Sequence, residues 1–533
     1  MSADPIIKSL RTALRIGIER YLPFAEMKAN AGACISLRAL GELIRHPFRF
    51  MAFHSVGVVK NPGVKFIRDL AYLAFSQVAI KVIGFVVFAY MARTLQPAGY
   101  GLVEYLFSLT AFAALVVDFG LGPVAVRART KGDDSVVNAV PTLRALIAII
   151  AVPTVILVVF LTTDDPVAHA LGCLFGASLL LHAWKQEWLL QSIEQIDRVA
   201  IAQMFRVVTF SGIILLMVSG VQSILWVGVA EVLSVIVWIG FYLKCQLQAG
   251  FNLSLNFDKA VLANLLREGA PLGMTSIIWG FVQYVPPILV ANIVGLEEAA
   301  YLAAAQRLVV SLQSFSYIYH FNLYAALTRR FEIGRSFLEQ LSLASFRIVA
   351  WAVIGPTVLV SFHATSVVTT IFGSNYQTSG LVLSILIFVL PIQFLSGHHR
   401  WALTAMGQSR AVLFSGVSGA ILSLILAPLL ILQWGAVGGG IAILLSSLTV
   451  WFVAVTFCRR NELDLPVLPR LIRPLLTGAA AIFLTEIALS GNWAARAILA
   501  VVLYVVFALF VDRKIFGDLR HLAYAKKDVV TKT

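Results

Sequence analysis

Long apolar segments recur along the whole 533-residue chain, and they end at glycine, proline, asparagine or charged residues. A helix needs about 20 apolar residues to cross the hydrocarbon core of a bilayer. Only 13% of the residues are charged, whereas a soluble domain carries about 25%. So few charges would not cover a water-facing surface of this size. The chain is therefore predicted to be a polytopic membrane protein with little soluble mass.

Fourteen segments have the length and composition of membrane-spanning helices, and we call them predicted spans 1 to 14. They cover residues 70–91, 102–126, 141–163, 167–184, 199–219, 221–243, 271–295, 299–327, 343–362, 381–397, 411–432, 435–457, 474–489 and 494–511. In hydrocarbon every backbone polar group needs an internal partner, which predicts an all-α helical bundle. A β-barrel is excluded, because its strands would be shorter and would alternate strictly.

The basic residues are distributed asymmetrically about these spans. With the N-terminus placed in the cytosol, 34 of the 41 lysines and arginines fall on the cytosolic side and five lie deep within spans. The other two are at the far side, Arg93 in a loop and Arg496 at the far-side end of span 14. Cytosolic loops of membrane proteins collect lysine and arginine. The net charge of +14 is therefore attributed to membrane topology rather than to nucleic-acid binding. Both termini are predicted to be cytosolic.

A short motif occurs twice, 201 residues apart: Leu95–Tyr100 follows span 1 and Leu296–Tyr301 follows span 7. Because the offset is six spans, the two halves share one orientation, as in transporters with parallel repeats.

In the N-terminal tail, Ile6–Leu22 is interpreted either as an interfacial helix or as a partly ordered basic segment. The predicted organisation is a basic tail (1–68), an N-lobe (69–250), a C-lobe (251–460), two extra helices (461–511) and a C-terminal tail (512–533).

Charged residues inside the spans mark candidate functional positions, because charge within a membrane is costly and usually faces a cavity or a partner. Lys81 lies at the middle of span 1. It is interpreted either as a cationic contact for an anionic substrate or as an ion pair with Asp118 or Glu231. Asp118 is expected to pair with Arg127, and Glu231 either titrates or pairs. Glu104 is near the far interface, where it would be solvated.

Span 8 carries a stripe of polar residues at steps of seven, four, three and four positions. Its members are Gln306, Gln313, Tyr317, His320 and Tyr324. Arg307 lies on the adjoining face. Polar faces of membrane helices either pack against other helices or line a wet path, and we expect this one to line a path together with Arg307.

Span 7 contains Gln283, a further cavity candidate, followed by Pro286–Pro287. Two prolines should kink or break the helix. A break near mid-membrane would serve gating or expose carbonyl groups, whereas a static kink would be packed by its neighbours. His398, His399 and Arg400 are expected at the cytosolic end of span 10. They are interpreted either as a basic gate or phosphate contact, or as ordinary cations at a helix end.

Sequence motifs of catalysis are missing from the chain. There is no GxxxxGK[ST], HExxH, CxxC or GxSxG pattern, and these are the patterns that hold phosphate, metal or a nucleophile. The four cysteines are far apart and predict neither a disulfide framework nor a metal site. No far-side loop is long enough to form a catalytic domain. The chain is therefore predicted not to be an enzyme and to have no cofactor.

Several segments together resemble the polysaccharide transporters of the multidrug/oligosaccharidyl-lipid/polysaccharide (MOP) exporter superfamily, the relatives of O-antigen and lipid II flippases. The matching segments are Ala92–Gly101, Asp118–Leu121 with Arg127, Ala299–Leu308, Phe372–Tyr376, Ala405–Arg410 and Gly435–Ala442. The first departs from the family pattern A-R-x-L-G-P-x-x-Y-G at Gln96. Many members have an aspartate in span 7 where this chain has Pro286–Pro287, so an acidic site there is not carried over.

The resemblance implies transport of a lipid-linked oligosaccharide, usually carried on undecaprenyl pyrophosphate, from the cytosolic to the periplasmic leaflet of a bacterial inner membrane. It implies two six-helix lobes that rock around a central cationic cavity, where Lys81 and Arg307 would meet the charge of the head group. The two extra helices would guide the lipid tail. A polysaccharide polymerase and glycosyltransferases are the further partners that it implies.

Two other functions remain open at this point. An ion-coupled multidrug exporter on the same fold would favour acidic cavity residues that bind cations. A non-transporting membrane scaffold for a glycan-assembly complex would tolerate neutral substitution of its buried charges.

Overall fold

The computed structural model describes residues 62–512 apart from positions 466 and 490. The predicted interfacial segment Ile6–Leu22 and the C-terminal tail lie outside the described residues. Three short 3₁₀ helices, His182–Trp184, Val221–Ser223 and Ser374–Tyr376, join some of the α-helices. The α-helices, labelled α1 to α16 in chain order, are Pro62–Asp118, Leu121–Thr130, Val136–Thr162, Pro166–Leu181, Glu187–Ser192, Ile196–Met217, Leu225–Gln248, Lys259–Ile293, Leu296–Ile333, Arg335–Phe362, Ala364–Phe372, Gln377–Leu386, Val389–Ala405, Ser409–Arg460, Leu468–Ala488 and Trp493–Val511.

The predicted all-α membrane fold is confirmed, and the described part of the chain contains no β-strand. By length and composition, eleven helices in this part are suited to cross a membrane. Two of them, α1 and α14, each cover two predicted spans, and their backbones leave the helical conformation at Gln96 and at Gly435, where one span meets the next. The polar helix α9 is not among the eleven. The number of fourteen crossings therefore stays a prediction.

The interruption of α1 follows from its local sequence. Gln96 has a φ of 60° and a ψ of 167°, and Pro97 follows it. Proline disfavours the helical conformation in the residue before it. The side chain of Gln96 is held by Asn375, whose Nδ2 donates to Oε1 of Gln96 at 3.0 Å. We call residues 62–95 helix α1a and residues 97–118 helix α1b.

Helix α1b of the N-lobe packs closely against the C-lobe near both of its ends, and a glycine permits each contact. A Cβ atom on Gly101 would lie 1.8 Å from the carbonyl oxygen of Leu296. A Cβ atom on Gly273 of α8 would lie 2.6 Å from the carbonyl oxygen of Phe119, just after α1b. No side chain fits at such distances. The two lobes are therefore in backbone contact at both ends of α1b.

Gly101→Ala is expected to destabilise the protein by about 1–3 kcal/mol, the usual cost of overpacking, because the added methyl group meets a backbone carbonyl that cannot rotate away. The measurement is thermal unfolding of the purified protein in detergent. Gly84→Ala is the matched control, since a Cβ atom at Gly84 meets nothing within 4 Å. Equal melting temperatures for the Gly101 variant and wild type would contradict the tight contact.

The repeated motif has a structural counterpart at one end of the lobe interface. The rings of Tyr100 and Tyr301, the last residues of the two motif copies, lie 6.1 and 6.2 Å from the ring of Tyr376, at interplanar angles of 79° and 90°. Edge-to-face pairs of this kind are favourable. The hydroxyl of Tyr376 donates to the carbonyl oxygen of Ala92 at 2.9 Å. Three of the segments that carry the family resemblance thus meet at one place.

The two extra helices of the sequence prediction correspond to α15 and α16. They pack on each other and against α10 of the C-lobe. The hydroxyl of Tyr504 donates to the carbonyl oxygen of Trp351 at 2.7 Å, and Nε1 of Trp351 donates to Asp512 at 3.2 Å. These contacts place both helices beside α10 of the C-lobe.

Candidate functional site

A buried salt bridge joins the two lobes. Nε and Nη2 of Arg307, on α9, donate to Oε1 and Oε2 of Glu104, on α1b, at 2.9 and 2.8 Å. The side chain of Glu104 is 6% exposed and that of Arg307 is 30% exposed. The sequence analysis expected Glu104 to be solvated, and that expectation is wrong for this conformation. Arg307 is neutralised in this conformation rather than free in an open cationic cavity.

The guanidinium group of Arg307 also lies on an aromatic surface of the N-lobe. Its central carbon is 3.6 Å from the ring centroid of Phe88 and 5.8 Å from that of Phe107. A cation over an aromatic face is attracted by the negative charge of the ring face. Arg307 therefore makes polar contacts with one helix segment of the N-lobe, α1b, and ring contacts with both α1a and α1b.

Lys81 lies near this pair. It precedes Phe88 by seven residues on the same face of α1a, which is two turns or about 10 Å along the axis. Its side chain is exposed, and within residues 77–512 no carboxylate forms an ion pair with it. The predicted alternative, a pair with Asp118 or Glu231, is wrong. Lys81 thus provides a positive charge without a protein counter-ion, close to a lobe-joining arginine.

Asp118 and Arg127 do not pair with each other. The chain turns at Phe119–Gly120, where φ is 39° and 69°, so the predicted single span is divided and the two residues lie on different helices. Asp118 instead accepts a hydrogen bond from Arg144, which is 2% exposed. Arg127 pairs with Glu268 of the C-lobe, where both side chains are largely exposed. The Arg127 pair is a surface contact between the lobes.

Glu231 on α7 pairs with Arg206 on α6 at 2.8 Å inside the N-lobe. This pair lies on the wall of a half-open cavity of about 230 Å³ that is lined by α1b, residues 182–185, α6 and α7. The cavity is inside the N-lobe and not between the lobes. Its described charges include both signs, so it is not the cationic cavity that the resemblance implies.

Gln306 makes a hydrogen bond that accounts for how helix α8 tolerates the proline pair. Helix α8 continues without a break through Pro286 and Pro287, so of the two predicted alternatives, a break or a static kink, the break is wrong. Pro287 has no N–H group to donate to the carbonyl oxygen of Gln283, four residues earlier. Nε2 of Gln306 donates to that oxygen at 2.9 Å. The side chain of Gln306 therefore replaces the missing helical hydrogen bond. Of Gln283, the half-buried side chain is the part that stays a cavity candidate.

Gln306→Leu is expected to lower the free energy of unfolding by about 1–3 kcal/mol, the cost of leaving a buried acceptor unsatisfied. Gln313→Leu is the control, because Gln313 lies on the same helix, is equally half-buried and has no hydrogen-bond partner in the described range. Melting temperatures in detergent measure both. If the two variants melt alike, the Gln306 hydrogen bond does not support α8.

His320 does not line a path in this structure. It is 1% exposed, and its Nε2 lies 3.5 Å from Nδ1 of His398, whose Nε2 lies 2.9 Å from Oγ of Ser345. Three residues turn a helix through about 300°, so His320 is rotated by about 60° from Tyr317. That rotation turns it into the C-lobe. The predicted role of His320 at a cavity is wrong for this conformation.

The other polar candidates of the C-lobe are closer to an accessible surface. Tyr317 is 64% exposed and packs edge-on against Trp401, and Gln313 and Tyr324 are half-buried. Helix α13 continues to Ala405, so Arg400 lies inside it and is not a helix-end cation.

The guanidinium group of Arg400 lies 4.8 Å from the ring centroid of Trp279 on α8. His398 and His399, expected at the same helix end, are fully buried. Arg400 therefore faces another membrane helix, and neither a gate nor a phosphate contact is tested by this geometry.

The residues that sequence reasoning missed are those whose partners are far away along the chain. Glu104 and Arg307 are 203 residues apart. The available signal was that each follows a copy of the repeated motif, four residues after Tyr100 and six after Tyr301. The equivalent depth of two opposite charges would have suggested the pair.

Comparisons with known proteins agree with this architecture. Residues 66–329 match the family described as "Polysaccharide biosynthesis protein". The fold is similar to that of the lipid II flippase MurJ in an inward closed conformation, with a TM-score of 0.68 and 12% identity, over 83% of this chain and 99% of that one. It is also similar to an inward-facing multidrug resistance MATE family transporter of the MOP superfamily, with a TM-score of 0.53 and 12% identity, over 73% and 94%. No curated protein sequence matches the chain.

Proposed function

We propose that this chain, whose residues 66–329 match the family described as "Polysaccharide biosynthesis protein" and whose fold is similar to that of MOP superfamily transporters, moves a lipid-linked oligosaccharide across a bacterial inner membrane by alternating access. The substrate is a polysaccharide repeat unit on a polyprenyl pyrophosphate. Both termini face the cytosol, where the basic loops lie. The polymerase and glycosyltransferases of the pathway are its partners.

The observation that carries the proposal is the salt bridge between Glu104 and Arg307. Alternating access requires the lobes to separate, and separation breaks this pair. Removing one member of a buried pair leaves an uncompensated charge at a cost of several kcal/mol. The transition therefore needs a second anion to take the place of Glu104.

A pyrophosphate group meets that need. Arginine binds phosphate oxygens with two parallel hydrogen bonds, as it binds a carboxylate. Lys81, two turns before Phe88 on α1a, supplies a second positive charge that no described carboxylate neutralises. The head group would thus exchange the Glu104 contact for its own and allow the lobes to part only when substrate is present.

The pairing of the acidic residues Glu104, Asp118 and Glu231 argues against cation-coupled drug export. In the described range, Glu104, Asp118 and Glu231 each form a salt bridge with an arginine. A cation-binding carboxylate would have to give up that partner first. The same pairing reduces the excess of positive charge expected from the sequence, since Arg144, Arg206 and Arg307 are the partners.

The test is deletion of the gene followed by mass analysis of lipid-linked intermediates. We expect undecaprenyl pyrophosphate-linked repeat units to accumulate, and complementation with the wild-type gene to remove them. Unchanged intermediates, together with increased drug sensitivity, would refute this function in favour of multidrug export. Normal export from variants with neutralised Lys81 and Arg307 would instead support a scaffold.

A further inference from the structure

Hydrogen bonds attach the end of helix α1a to the C-lobe, and the proposed function does not yet use them. They join residues 92–96 to residues 370–376, which we call the latch segment. The latch segment contains the end of α11 and the 3₁₀ helix Ser374–Tyr376. We propose that these two parts of the chain form a latch that keeps the far side of the transport path closed until the lobes separate. This inference rests on the alternating access of the proposed function.

Arg93 satisfies carbonyl groups at the end of helix α11. Its Nε donates to the carbonyl oxygen of Ile371 at 2.8 Å, and its Nη2 donates to that of Thr370. The last carbonyl groups of a helix have no partner within the helix, and their partial negative charge attracts a cation. The planar guanidinium group presents several donors in a fixed geometry. One side chain of α1a therefore caps a helix on the other side of the interface.

The rest of the latch follows a sharp turn after α11. Gly373 ends that helix with a φ of 101°, a left-handed conformation that favours glycine. After this turn, Asn375 donates to Gln96 and Tyr376 donates to the carbonyl oxygen of Ala92, as described above. Tyr376 is 1% exposed, so its hydrogen bond is protected from water.

The two partners of the latch belong to different lobes. One turn before Arg93, the hydroxyl of Tyr90 donates to the carbonyl oxygen of Val218, at the end of α6, at 2.7 Å. The end of α1a is therefore held by the N-lobe. On the other side, the ring of Tyr376 packs against that of Tyr301 on α9 of the C-lobe. Separation of the lobes at this end has to break the hydrogen bonds of the latch.

The latch differs from the Glu104–Arg307 salt bridge in what its opening requires. Arg93 is exposed, so water can replace the carbonyl groups of the helix end when the latch opens. Opening of the buried salt bridge would instead leave an uncompensated charge, which needs a second anion. The latch therefore controls how often the far side opens, whereas the salt bridge makes separation depend on the substrate.

The test measures how fast a reporter cysteine between the lobes reacts from the far side. The four native cysteines are replaced by alanine, and Ala300→Cys places the reporter at a fully buried position beside the Gly101 contact. Right-side-out membrane vesicles are treated with a membrane-impermeant maleimide, so the labelling rate is proportional to the fraction of molecules open on the far side. Arg93→Met should raise this rate about tenfold or more, because hydrogen bonds to a charged group are lost. Tyr376→Phe, which loses one neutral hydrogen bond, should raise it about three- to tenfold.

Arg496→Met is the matched control. Arg496 is the other far-side arginine, and it pairs with Glu486 between the two extra helices, so its loss breaks a salt bridge without touching the latch. This variant should label at the rate of the unaltered reporter chain. Equal rates for the reporter chain and both latch variants would overturn the proposal. An equal rise in Arg496→Met would overturn it too, because a general loss of stability would then account for the labelling.

The outcome is separable from that of gene deletion. Faster labelling of the two latch variants supports the latch even where deletion leaves lipid-linked intermediates unchanged, a result that would refute the substrate and not the movement of the lobes. Accumulation of intermediates together with unchanged labelling would refute the latch and leave the transport proposal in place.

Discussion

Arg307→Ala is expected to reduce polysaccharide export about 100-fold or more while the protein still reaches the membrane. Each hydrogen bond to a charged group contributes about 1.5–3 kcal/mol, and the variant loses two of them to the substrate phosphates. The free energy of unfolding should fall as well, by about 3 kcal/mol, because Glu104 is left without its partner. We take the lower end of that range since the Arg307 side chain is 30% exposed. Export is measured as surface polysaccharide at matched protein levels.

The double variant Glu104→Arg/Arg307→Glu separates the two roles of Arg307. Reversing the charges rebuilds the salt bridge, so the melting temperature should return towards that of wild type. Export should stay low, because the cation has moved off the C-lobe and away from its position over Phe88. Recovery of both stability and export would show that the pair is purely structural, which contradicts substrate exchange at Arg307.

Lys81→Met is expected to reduce export at least tenfold without a loss of stability. Lys81 has no described counter-ion, so its removal breaks no salt bridge, whereas an unpaired charge within a membrane is itself costly. The melting temperature should therefore stay the same or rise. One lost contact to a charged group corresponds to about 1.5–3 kcal/mol, which is tenfold or more.

Lys81→Arg is the matched variant for this position. It keeps the charge, so export should remain within a few-fold of wild type. A Lys81→Met variant with normal export and a lower melting temperature would place Lys81 in the structural framework and remove it from the substrate path.

The apolar spans were predictable because a bilayer imposes a minimum length on each helix. The residues at which the helices end were harder to predict. A residue such as Gln96 leaves the helical conformation through Pro97 and the hydrogen bond from Asn375, which lies 279 residues away in the sequence. The turn at Phe119–Gly120 likewise ended a predicted span early. Local sequence identifies a membrane helix, but its end depends on tertiary contacts.

The candidate site was predicted in its residue types and only partly in its pairing. Lys81 and Arg307 were selected because charge in a membrane needs a reason, and the structure places Arg307 over Phe88, two turns from Lys81 on α1a. Composition gave no means to match Arg307 with Glu104 or Arg144 with Asp118. Gln306 was assigned to a path because a polar stripe does not reveal that its partner is a carbonyl freed by a proline.

The most direct measurement of the central claim is transport of an undecaprenyl pyrophosphate-linked oligosaccharide in proteoliposomes of the purified chain, read out by accessibility of the glycan to an external glycosidase. The account predicts that the oligosaccharide moves between leaflets only when the protein is present. The double variant Lys81→Met/Arg307→Ala should abolish this movement, and the single variant Lys81→Arg should preserve it. Equal movement in empty liposomes and in liposomes with the wild-type chain would contradict it, as would full activity of the double variant.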